Sequence, residues 1–298
     1  MTIMSSPAPT WFITGASSGL GRALAEAVLA RGWRAVMTAR RPETLADLTA
    51  EHGDRALALA LDVTDSNSIA GAVHDAETHF GAIDVLVNNA GYGYLSAIEE
   101  GDDAEIRAQF ETNVFGLIAV TKQVLPGMRS RRQGHIFNVS SLGGLVAFAA
   151  TGYYHATKFA VEGLSESLSH EVKSLGIDVT ILEPGAFRTD WAGRSMVESS
   201  TIIDDYAETS GKRRQATRSV SGNQPGDPVR AATAIISAFE ADEPPLRLLL
   251  GAPALKIARE RLDALRANFE AWAETTLSAD FPRKPSAVSP GERRANGA

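Results

Sequence analysis

The sequence predicts an α/β fold: a doubly wound, Rossmann-type parallel sheet of about seven strands, with helices on both faces, in a single domain. Short apolar runs alternate with helical stretches along the chain, and right-handed crossovers between such strands produce this architecture. Several runs, such as residues 85–87, are continuously apolar rather than alternating. That pattern is typical of parallel strands covered on both faces.

The elements follow in a regular order. A proline near its first turn favours the second helix, and Asp65 is a suitable N-cap for the third. Strands are predicted at residues 11–14, 34–38, 56–61, 85–87, 136–139, 179–182 and 246–250, and helices at 20–30, 42–51, 65–80, 104–128, 154–175 and 228–240.

Some segments depart from this rhythm. Residues 1–9 are expected to be a flexible N-terminus, 10–282 the single domain, and 283–298 a disordered tail rich in Pro, Ser, Arg and Gly. Within the domain, residues 190–227 are polar and irregular and are interpreted as a substrate-side loop or lid.

Residues 254–277 form a predicted C-terminal helix. Its apolar positions keep helical spacing and are expected to pack on the body: Leu255, Ala258, Leu262, Leu265, Phe269 and Trp272.

Composition excludes several classes of function. The chain has 298 residues, 44% of them hydrophobic, a net charge of −7 and no cysteine. An acidic protein is a poor partner for nucleic acid, and the absence of cysteine excludes disulfides and fits a reducing compartment. We find no secretory signal pattern and no apolar run of membrane-spanning length. A cytoplasmic protein with no membrane partner and no bound metal is therefore expected.

A glycine-rich turn follows the first predicted strand. Gly15, Gly19 and Gly21 lie between that strand and a helix, where a tight turn and a helix N-terminus can hold a pyrophosphate. A strand-to-helix turn without any ligand would satisfy the same pattern.

The spacing of these glycines resembles the Thr-Gly-x-x-x-Gly-x-Gly motif of the short-chain dehydrogenase/reductase family. The resemblance continues in order through residues 10–189, and partly extends to bacterial relatives of hydroxysteroid and retinol dehydrogenases. The matching positions are Asn88-Asn89-Ala90-Gly91, Asn113, Ser141, Tyr154-x-x-x-Lys158 and Pro184-Gly185-x-x-x-Thr189. It implies an oxidoreductase, such as a carbonyl reductase or alcohol dehydrogenase, that uses a nicotinamide dinucleotide.

The end of the second strand favours NADP(H) over NAD(H). An acidic residue there would bind the ribose hydroxyls and select NAD, but the chain has Ala39 followed by Arg40 and Arg41. A guanidinium suits a 2′-phosphate, and the family resemblance assigns that role to Arg40. Arg41 is expected to lie in a surface loop. Asp62 is either an adenine-side residue, as in the family, or a cap preceding a helix.

An acid–base set is predicted from Ser141, Tyr154 and Lys158. Tyr154 and Lys158 share a helix face, and the lysine ammonium is expected to lower the pKa of the phenol. Ser141 can hold the substrate oxygen, and the family resemblance assigns Asn113 to a water-mediated proton relay. Asn113 could instead only bond a backbone carbonyl and bend its helix.

The resemblance and the turn chemistry together give a full set of predicted site residues. Cofactor contacts are expected from Gly15, Ser17, Ser18, Gly19, Leu20, Gly21, Arg40, Asp62, Val63, Asn89, Ala90, Gly91, Tyr154, Lys158, Pro184, Gly185, Phe187 and Thr189. The substrate pocket is expected to be lined by Tyr92, Tyr94, Leu145, Phe148, Tyr153 and Trp191.

These residues predict an uncharged, largely apolar or aromatic ketone, aldehyde or secondary alcohol as substrate. The family resemblance also implies a homo-oligomer, a dimer or tetramer, formed through the helices at 104–128 and 154–175. A cofactor-sensing regulator on the same fold is the main alternative. Such proteins generally lose the tyrosine or lysine, whereas this chain retains both.

Overall fold

The computed structural model describes residues 8–189, 191, 193 and 195–281. Its centre is a parallel seven-stranded sheet of order β3-β2-β1-β4-β6-β7-β9. A second sheet pairs β5 with β8. The strands are β1 (Thr10–Ile13), β2 (Arg34–Ala39), β3 (Ala56–Ala60), β4 (Val85–Asn88), β5 (Gly93–Leu95), β6 (Gly134–Val139), β7 (Ile177–Pro184), β8 (Met196–Glu198) and β9 (Arg247–Leu250).

Helices cover both faces of the large sheet, which confirms the predicted fold class. Among the described residues, the α-helices are α1 (Gly19–Ala30), α2 (Ala46–His52), α3 (Ser66–Phe80), α4 (Asp103–Phe110), α5 (Leu117–Arg131), α6 (Gly152–Val172), α7 (Lys212–Ser219), α8 (Pro228–Phe239), α9 (Ala252–Ala271) and α10 (Ala273–Ser278). The predicted helix at 104–128 is interrupted by a π-helical turn, Glu111–Gly116. The predicted helix at 42–51 begins with a 3₁₀ turn, Pro42–Leu45.

Two apolar layers hold the helices on the sheet. On one side, α1 and α8 pack through residues such as Leu24 and Ile235 around Trp11. The Trp11 ring stacks on Phe137, with centroids 5.8 Å apart. On the other side, residues of α3, α5 and β6 form a separate cluster around Phe12. Strands between two such layers have both faces buried, which explains their continuous apolar runs.

The winding of the sheet reverses at β1. This strand pairs with β2 on one side and with β4 on the other, so the connections that leave β1 and β4 diverge to opposite faces. In open α/β sheets, the crevice at such a switch point, at the carboxyl ends of the strands, is the usual ligand site.

The segment at 190–227 is more regular than predicted. It contains β8, a π-helical turn at Ala207–Gly211 and the helix α7. Gly93, Tyr94 and Leu95 pair with Met196, Val197 and Glu198 of β8. A three-residue strand leaves too short a pattern to be recognised from sequence, because strands normally run five or six residues.

The chain divides into two compact units, Met1–Ala258 and Arg259–Ala298. The first contains both sheets. In it, the carbonyls of Ala8 and Pro9 accept hydrogen bonds from Arg34, and the flexibility expected of residues 1–9 stays a prediction. Residues 1–7 and the tail predicted at 283–298 lie outside the described residues.

The C-terminal helix begins in the first unit, where the predicted position Ala258 is 3% exposed but Leu255 is 41% exposed. Ala254 and Ala258 of α9 are buried in a small cluster with Leu142. The other predicted positions, Leu262, Leu265, Phe269 and Trp272, lie in the second unit, and their packing on the body stays a prediction.

The buried His135 makes stability dependent on pH. Its Nε2 lies 2.9 Å from Thr180 Oγ1, its ring stacks on Phe137, and burial lowers its pKa to about 3. The unfolded state therefore takes up a proton near pH 6.5 that the folded state does not, and stability is lost as pH falls from 6.5 towards 3. In His135→Gln, we expect the free energy of unfolding to fall less steeply with decreasing pH, by up to about 1.4 kcal/mol per pH unit.

Urea unfolding between pH 7 and pH 4.5 measures this slope. His170→Gln is the matched control, since His170 is an exposed histidine of α6. Burial also lowers the pKa of His155, to about 4, so part of the slope should remain in the variant. Equal slopes in the wild type and His135→Gln would contradict the prediction.

Candidate active site

The glycine-rich turn after β1 forms an open cradle at the N-terminus of α1. Gly15 and Gly19 have φ values of +66° and +60°, a region that side chains with a Cβ rarely adopt. A Cβ on Gly21 would lie 2.7 Å from Gly15 O. Ser18, the N-cap residue, makes no capping hydrogen bond through its side chain. The first N–H groups of the helix therefore remain available, and the cradle fits a pyrophosphate.

The loop after β4 holds this cradle in shape. Asn89 Nδ2 donates to Thr14 O at 2.9 Å and to Gly15 O at 3.0 Å. Thr14 Oγ1 accepts from the backbone N–H groups of Asn89 and Ala90. Asn89 was predicted to contact the cofactor, and the structure gives its side chain a positioning role. The Ala90 N–H is likewise used within the protein.

The ribose end of the crevice carries the two arginines that follow β2. Arg40 is exposed, and its side chain makes neither a hydrogen bond nor an ion pair with another described residue. Asp62 Oδ1 accepts from Thr64 N at 2.9 Å and from Thr64 Oγ1 at 2.7 Å. These bonds, with a smaller contribution from the charge of Arg40, lower the pKa of Asp62. They place Asp62 in the turn before α3, and because the N-cap of α3 is Asp65, Asp62 is not the helix cap that the sequence offered as an alternative. Val63 packs against Gly116.

Tyr154, Lys158 and Ser141 meet at the carboxyl end of β6. Lys158 Nζ donates to Val139 O at 2.7 Å and lies 5.6 Å from the centre of the Tyr154 ring. The Ser141 side chain lies beside that of Tyr154 and accepts a hydrogen bond from Gly143 N at 2.9 Å. The structure thus brings the three predicted residues together.

The neighbouring candidates have other partners. The Ser140 hydroxyl faces the carboxyl of Glu162 and not the phenol. The Tyr153 hydroxyl donates to Ile98 O at 2.6 Å. These contacts separate Ser141 and Tyr154 from the two adjacent residues with which sequence alone could confuse them.

Burial dominates the electrostatics of the pair. Burial raises the pKa of Tyr154 to about 12, while the neighbouring Ser141 hydroxyl acts in the opposite direction. Burial lowers the pKa of Lys158 to about 8, partly offset by the negative charge of Glu162. The net pKa of the phenol is therefore raised and not lowered, because desolvation penalises the phenolate more than its surroundings stabilise it.

Asn113 lies in the π-helical turn between α4 and α5. Its Oδ1 accepts from Tyr92 N at 3.0 Å, and its Nδ2 donates to Tyr92 O at 2.9 Å and to Thr157 Oγ1 at 3.2 Å. π-turns of this kind often occur at functional sites. The amide therefore ties the loop after β4 to α6, next to Lys158. By these contacts Asn113 is a positioning residue, which matches the structural alternative considered for it.

The segment after β7 closes the crevice on the other side. Gly185 N donates to Leu250 O at 3.0 Å, and Thr189 N donates to Phe187 O at 2.9 Å. A Cβ on Gly19 would lie 3.5 Å from Thr189 Cβ. The predicted segment from Pro184 to Thr189 thus lies against the phosphate cradle.

The predicted substrate-pocket residues divide into two groups. Trp191 lies against Tyr154, with ring centroids 5.1 Å apart, and the Tyr92 backbone is held by Asn113. Leu145 and Phe148 pack beside the first turns of α9. These four remain pocket candidates.

Tyr94 and Tyr153 do not fit the prediction. Tyr94 is 1% exposed, and its hydroxyl accepts from Asp102 N at 3.0 Å. The Tyr153 ring packs against Gly101, and its hydroxyl is bonded to Ile98. Both side chains are structural, because their polar atoms already have partners within the protein.

Sequence reasoning missed a buried charge cluster behind Lys158. Glu162 lies one helical turn after Lys158, and Arg247 forms ion pairs with Glu162, Glu166 and Glu183. Burial and the neighbouring Glu162 raise the pKa of Glu183 to about 7, against the opposing effect of Arg247. Glu162 could have been found from sequence, because it lies four residues after Lys158 on the same helix. Arg247 could not, because no nearby sequence pattern connects it to Lys158.

A second missed residue, Glu100, anchors the segment at 190–227. Its carboxylate pairs with Arg214, accepts from Ile203 N at 2.9 Å and caps Ala97 N at 2.8 Å. The Ser199 hydroxyl donates to Glu100 O. Glu100 is 2% exposed and Arg214 4%, so this segment is fixed by a desolvated ion pair more than one hundred residues apart in sequence.

Comparison with known proteins agrees with this geometry. A family model described as short chain dehydrogenase matches residues 9–198. Oxidoreductase BOA17 of Botryotinia fuckeliana (strain B05.10) is 43% identical over 270 residues, which cover 90% of this chain and 98% of that protein.

Solved structures are similar over most of the chain. The crystal structure of a short-chain dehydrogenase from Streptomyces avermitilis has 45% sequence identity and a TM-score of 0.87, and covers 93% of this chain and 100% of that chain. The structure of a short chain dehydrogenase from Burkholderia cenocepacia J2315 in complex with NADP has 25% identity and a TM-score of 0.69, with 89% and 97% coverage.

The lowered pKa of Lys158 should be visible by NMR. In protein labelled with ¹³C at lysine Cε, we expect one resonance to titrate near pH 8, because burial disfavours the ammonium form. That resonance should be absent from Lys158→Arg. Lys122, an exposed lysine of α5, gives the control through Lys122→Arg, which should retain the signal. Absence of any titration near pH 8 would contradict the prediction.

Proposed function

The chain belongs to the short-chain dehydrogenase/reductase family, and on that premise we propose that it is an NADP(H)-dependent oxidoreductase. Its substrate is an uncharged, largely apolar or aromatic ketone, aldehyde or secondary alcohol. The observation that carries this proposal is the contact of Ser141 with Tyr154, with Lys158 one turn further along the same helix and an open phosphate cradle at the same sheet edge.

The residues present fit a nicotinamide dinucleotide, which when bound would donate or accept the hydride. The N–H groups of the cradle around Gly15, Gly19 and Gly21 would hold its pyrophosphate. Lys158 would bond the nicotinamide ribose, and the loop from Pro184 to Thr189 would hold the carboxamide.

Tyr154 supplies the proton in the direction of reduction. Its phenol stays protonated at neutral pH because burial raises its pKa to about 12. A carbonyl oxygen placed beside Tyr154 and Ser141 would accept a hydrogen bond from each hydroxyl as it gains negative charge. The phenol then transfers its proton to that oxygen. In oxidation the phenol must first lose its proton, and the positive charge of Lys158 favours that loss.

Apolar and aromatic side chains around Tyr154 support an uncharged substrate. Trp191 covers the phenol ring, and Phe148 lies in the apolar cluster beside α9. A guanidinium is also nearby: that of Arg213 lies 4.8 Å from the centre of the Phe148 ring. Keto acids therefore belong in a substrate panel. Turnover of keto acids alone would contradict the proposal that the substrate is uncharged.

The preference for NADP(H) rests on Arg40. Its guanidinium makes no hydrogen bond or ion pair with another described residue, and no carboxylate ends β2. A guanidinium can bond a phosphate through two parallel N–H groups. A 2′-phosphate is therefore favoured over a free ribose hydroxyl at this position.

Exposed apolar residues on the helices beside the site support the proposed homo-oligomer. Phe115, Phe159 and Leu164 are 53%, 46% and 41% exposed. They lie on or next to α5 and α6, the two helices that the family resemblance assigned to subunit contacts. Burial of this surface in a dimer or tetramer would remove apolar area from water.

Tyr154→Phe should separate turnover from cofactor binding. We expect turnover of a panel of aromatic and aliphatic ketones and aldehydes to fall by roughly 10²–10⁴-fold, since the variant lacks the general acid. NADPH binding, followed by fluorescence, should change less than about twofold, because the ring is retained. Tyr153→Phe is the matched control and should keep its activity. A wild type that binds NADPH tightly but reduces nothing on the panel would instead favour the cofactor-sensing regulator.

Arg40→Ala should weaken the binding of NADPH but not that of NADH. Loss of a hydrogen-bonded charge contact with the 2′-phosphate is expected to raise the Kd for NADPH by roughly tenfold to a hundredfold. The Kd for NADH should stay almost the same. Arg41→Ala provides the adjacent control, with a much smaller effect. Equal weakening of NADPH and NADH, or tighter binding of NADH by the wild type, would refute the assignment.

A further inference from the structure

A buried carboxylate lies directly behind the lysine of the candidate site. Glu162 follows Lys158 by four residues on α6, so the two side chains share one face of the helix and are one turn apart. Each residue is only 6% exposed. Charges at this spacing interact more strongly when they are buried than when they are exposed, because water screens them less.

Two neighbouring strands hold the Glu162 carboxylate in place. Arg247 of β9 donates to Glu162 Oε2, and it also donates to Glu183 Oε1 of β7 at 3.2 Å. The second guanidinium nitrogen donates to Glu166 Oε2, one turn further along α6, at 2.7 Å. The strands β7 and β9 are paired at this point, with Glu183 opposite Leu249. One guanidinium therefore ties α6 to two strands of the sheet.

The other carboxylate oxygen of Glu162 has no such structural role. Oε1 is buried and makes no hydrogen bond with another described residue. A Cβ on Gly144 would lie 2.7 Å from this oxygen and 2.5 Å from Ser140 Oγ, so Oε1 lies at the loop that carries Ser141. Most buried polar atoms have a partner, and exceptions often occur where a group serves a function.

The charges around Lys158 oppose the effect of its burial. The ionisable groups near it are Tyr154 and Glu162 of α6, Glu183 of β7 and Arg247 of β9. Burial lowers the pKa of the lysine to about 8, and Glu162 acts in the opposite direction. Burial also raises the pKa of Glu162, whereas Arg247 lowers it. Arg247 thus favours the ionised carboxylate, and the carboxylate favours the ammonium.

We propose that Glu162, held by Arg247, is a positioning residue that keeps Lys158 positively charged. The inference rests on the proposed function, in which the charge of Lys158 favours loss of the Tyr154 proton and its ammonium bonds the nicotinamide ribose. Glu162 lies behind the lysine and acts only through it. The charge of the lysine can nevertheless be measured without turnover, so the two proposals can fail separately.

Glu162→Gln tests the proposal, because it removes the charge but keeps the shape and a carbonyl oxygen for Arg247. In protein labelled with ¹³C at lysine Cε, the Lys158 resonance is expected near pH 8 in the wild type. In the variant we expect its pKa to be lower by about one unit or more. One unit is a tenfold change in the ratio of ammonium to amine. Lys158→Arg identifies the resonance.

Two further variants separate charge from packing. Glu162→Asp disturbs the same buried position but keeps a carboxylate, so it should restore most of the wild-type pKa of Lys158. Glu166→Gln removes another carboxylate that pairs with Arg247, but the Glu166 side chain is 50% exposed. We expect it to shift the lysine pKa by less than about 0.3 units, because water screens this charge. Circular dichroism and thermal midpoints establish that each variant is folded.

A measurement on the wild type covers the case in which Glu162→Gln does not fold. Burial and the neighbouring Glu162 raise the pKa of Glu183 to about 7, so this carboxyl pair changes charge just below the pH at which Lys158 does. Protonation of the pair disfavours the ammonium. The Lys158 titration should therefore be broader than that of an isolated group, with a Hill coefficient below about 0.8.

The pH profile of turnover gives a second readout. Ketone reduction by Glu162→Gln should decline on the alkaline side about one pH unit earlier than in the wild type, because neutral Lys158 no longer supports the proton transfer. A wild type without turnover would contradict the proposed function, whereas the lysine titration tests the role of Glu162 by itself.

Three results would overturn the role of Glu162. The first is a Lys158 pKa that Glu162→Gln leaves unchanged. The second is an equal shift in Glu162→Asp, which would show that packing and not charge is responsible. The third applies if Glu162→Gln does not fold, and is a wild-type titration of Lys158 that follows a single isolated group.

Discussion

Seven strands run parallel, and this constraint brings every part of the candidate site to one edge of the sheet. The turn around Gly15 follows β1, Arg40 follows β2, Gly91 follows β4, Ser141 follows β6 and Pro184 ends β7. Because β1 pairs with both β2 and β4, the loops on either side of it separate and leave a crevice. A dinucleotide can therefore extend across the edge, with its phosphates at the α1 N-terminus and its reactive end near α6.

Burial determines the chemistry available at that edge. Tyr154 and Lys158 are 7% and 6% exposed, and desolvation favours the neutral form of each. The phenol is consequently ready to donate a proton, and the lysine is held by Val139 O rather than by a carboxylate. Glu162 lies one turn behind Lys158 and opposes the loss of its charge. Arg247 forms ion pairs with Glu162 and Glu183. The charge of Lys158 therefore depends on Glu162, which contacts it, and on Arg247, which lies behind Glu162.

The substrate side depends on a different interaction. Glu100 and Arg214 form a buried ion pair, and the Glu100 carboxylate also accepts two backbone N–H groups. Breaking such a pair leaves an unpaired buried charge and costs several kcal/mol. The segment that carries Trp191 over Tyr154 is thus attached to the body by charge pairing, whereas the sheet and its helices are held by apolar packing.

The sequence by itself determined the fold class, the order of the strands and helices along the chain, and the residues that meet at the candidate site. These features are local: apolar periodicity reports burial of one face, and the spacing of Gly15, Gly19 and Gly21 or of Tyr154 and Lys158 reports a turn or a helix face. The tertiary structure alone decided the short pairing of β5 with β8, the structural use of Tyr94 and the anchoring by Glu100. Their partners lie far away in the sequence, and a residue's type does not specify which distant group will satisfy it.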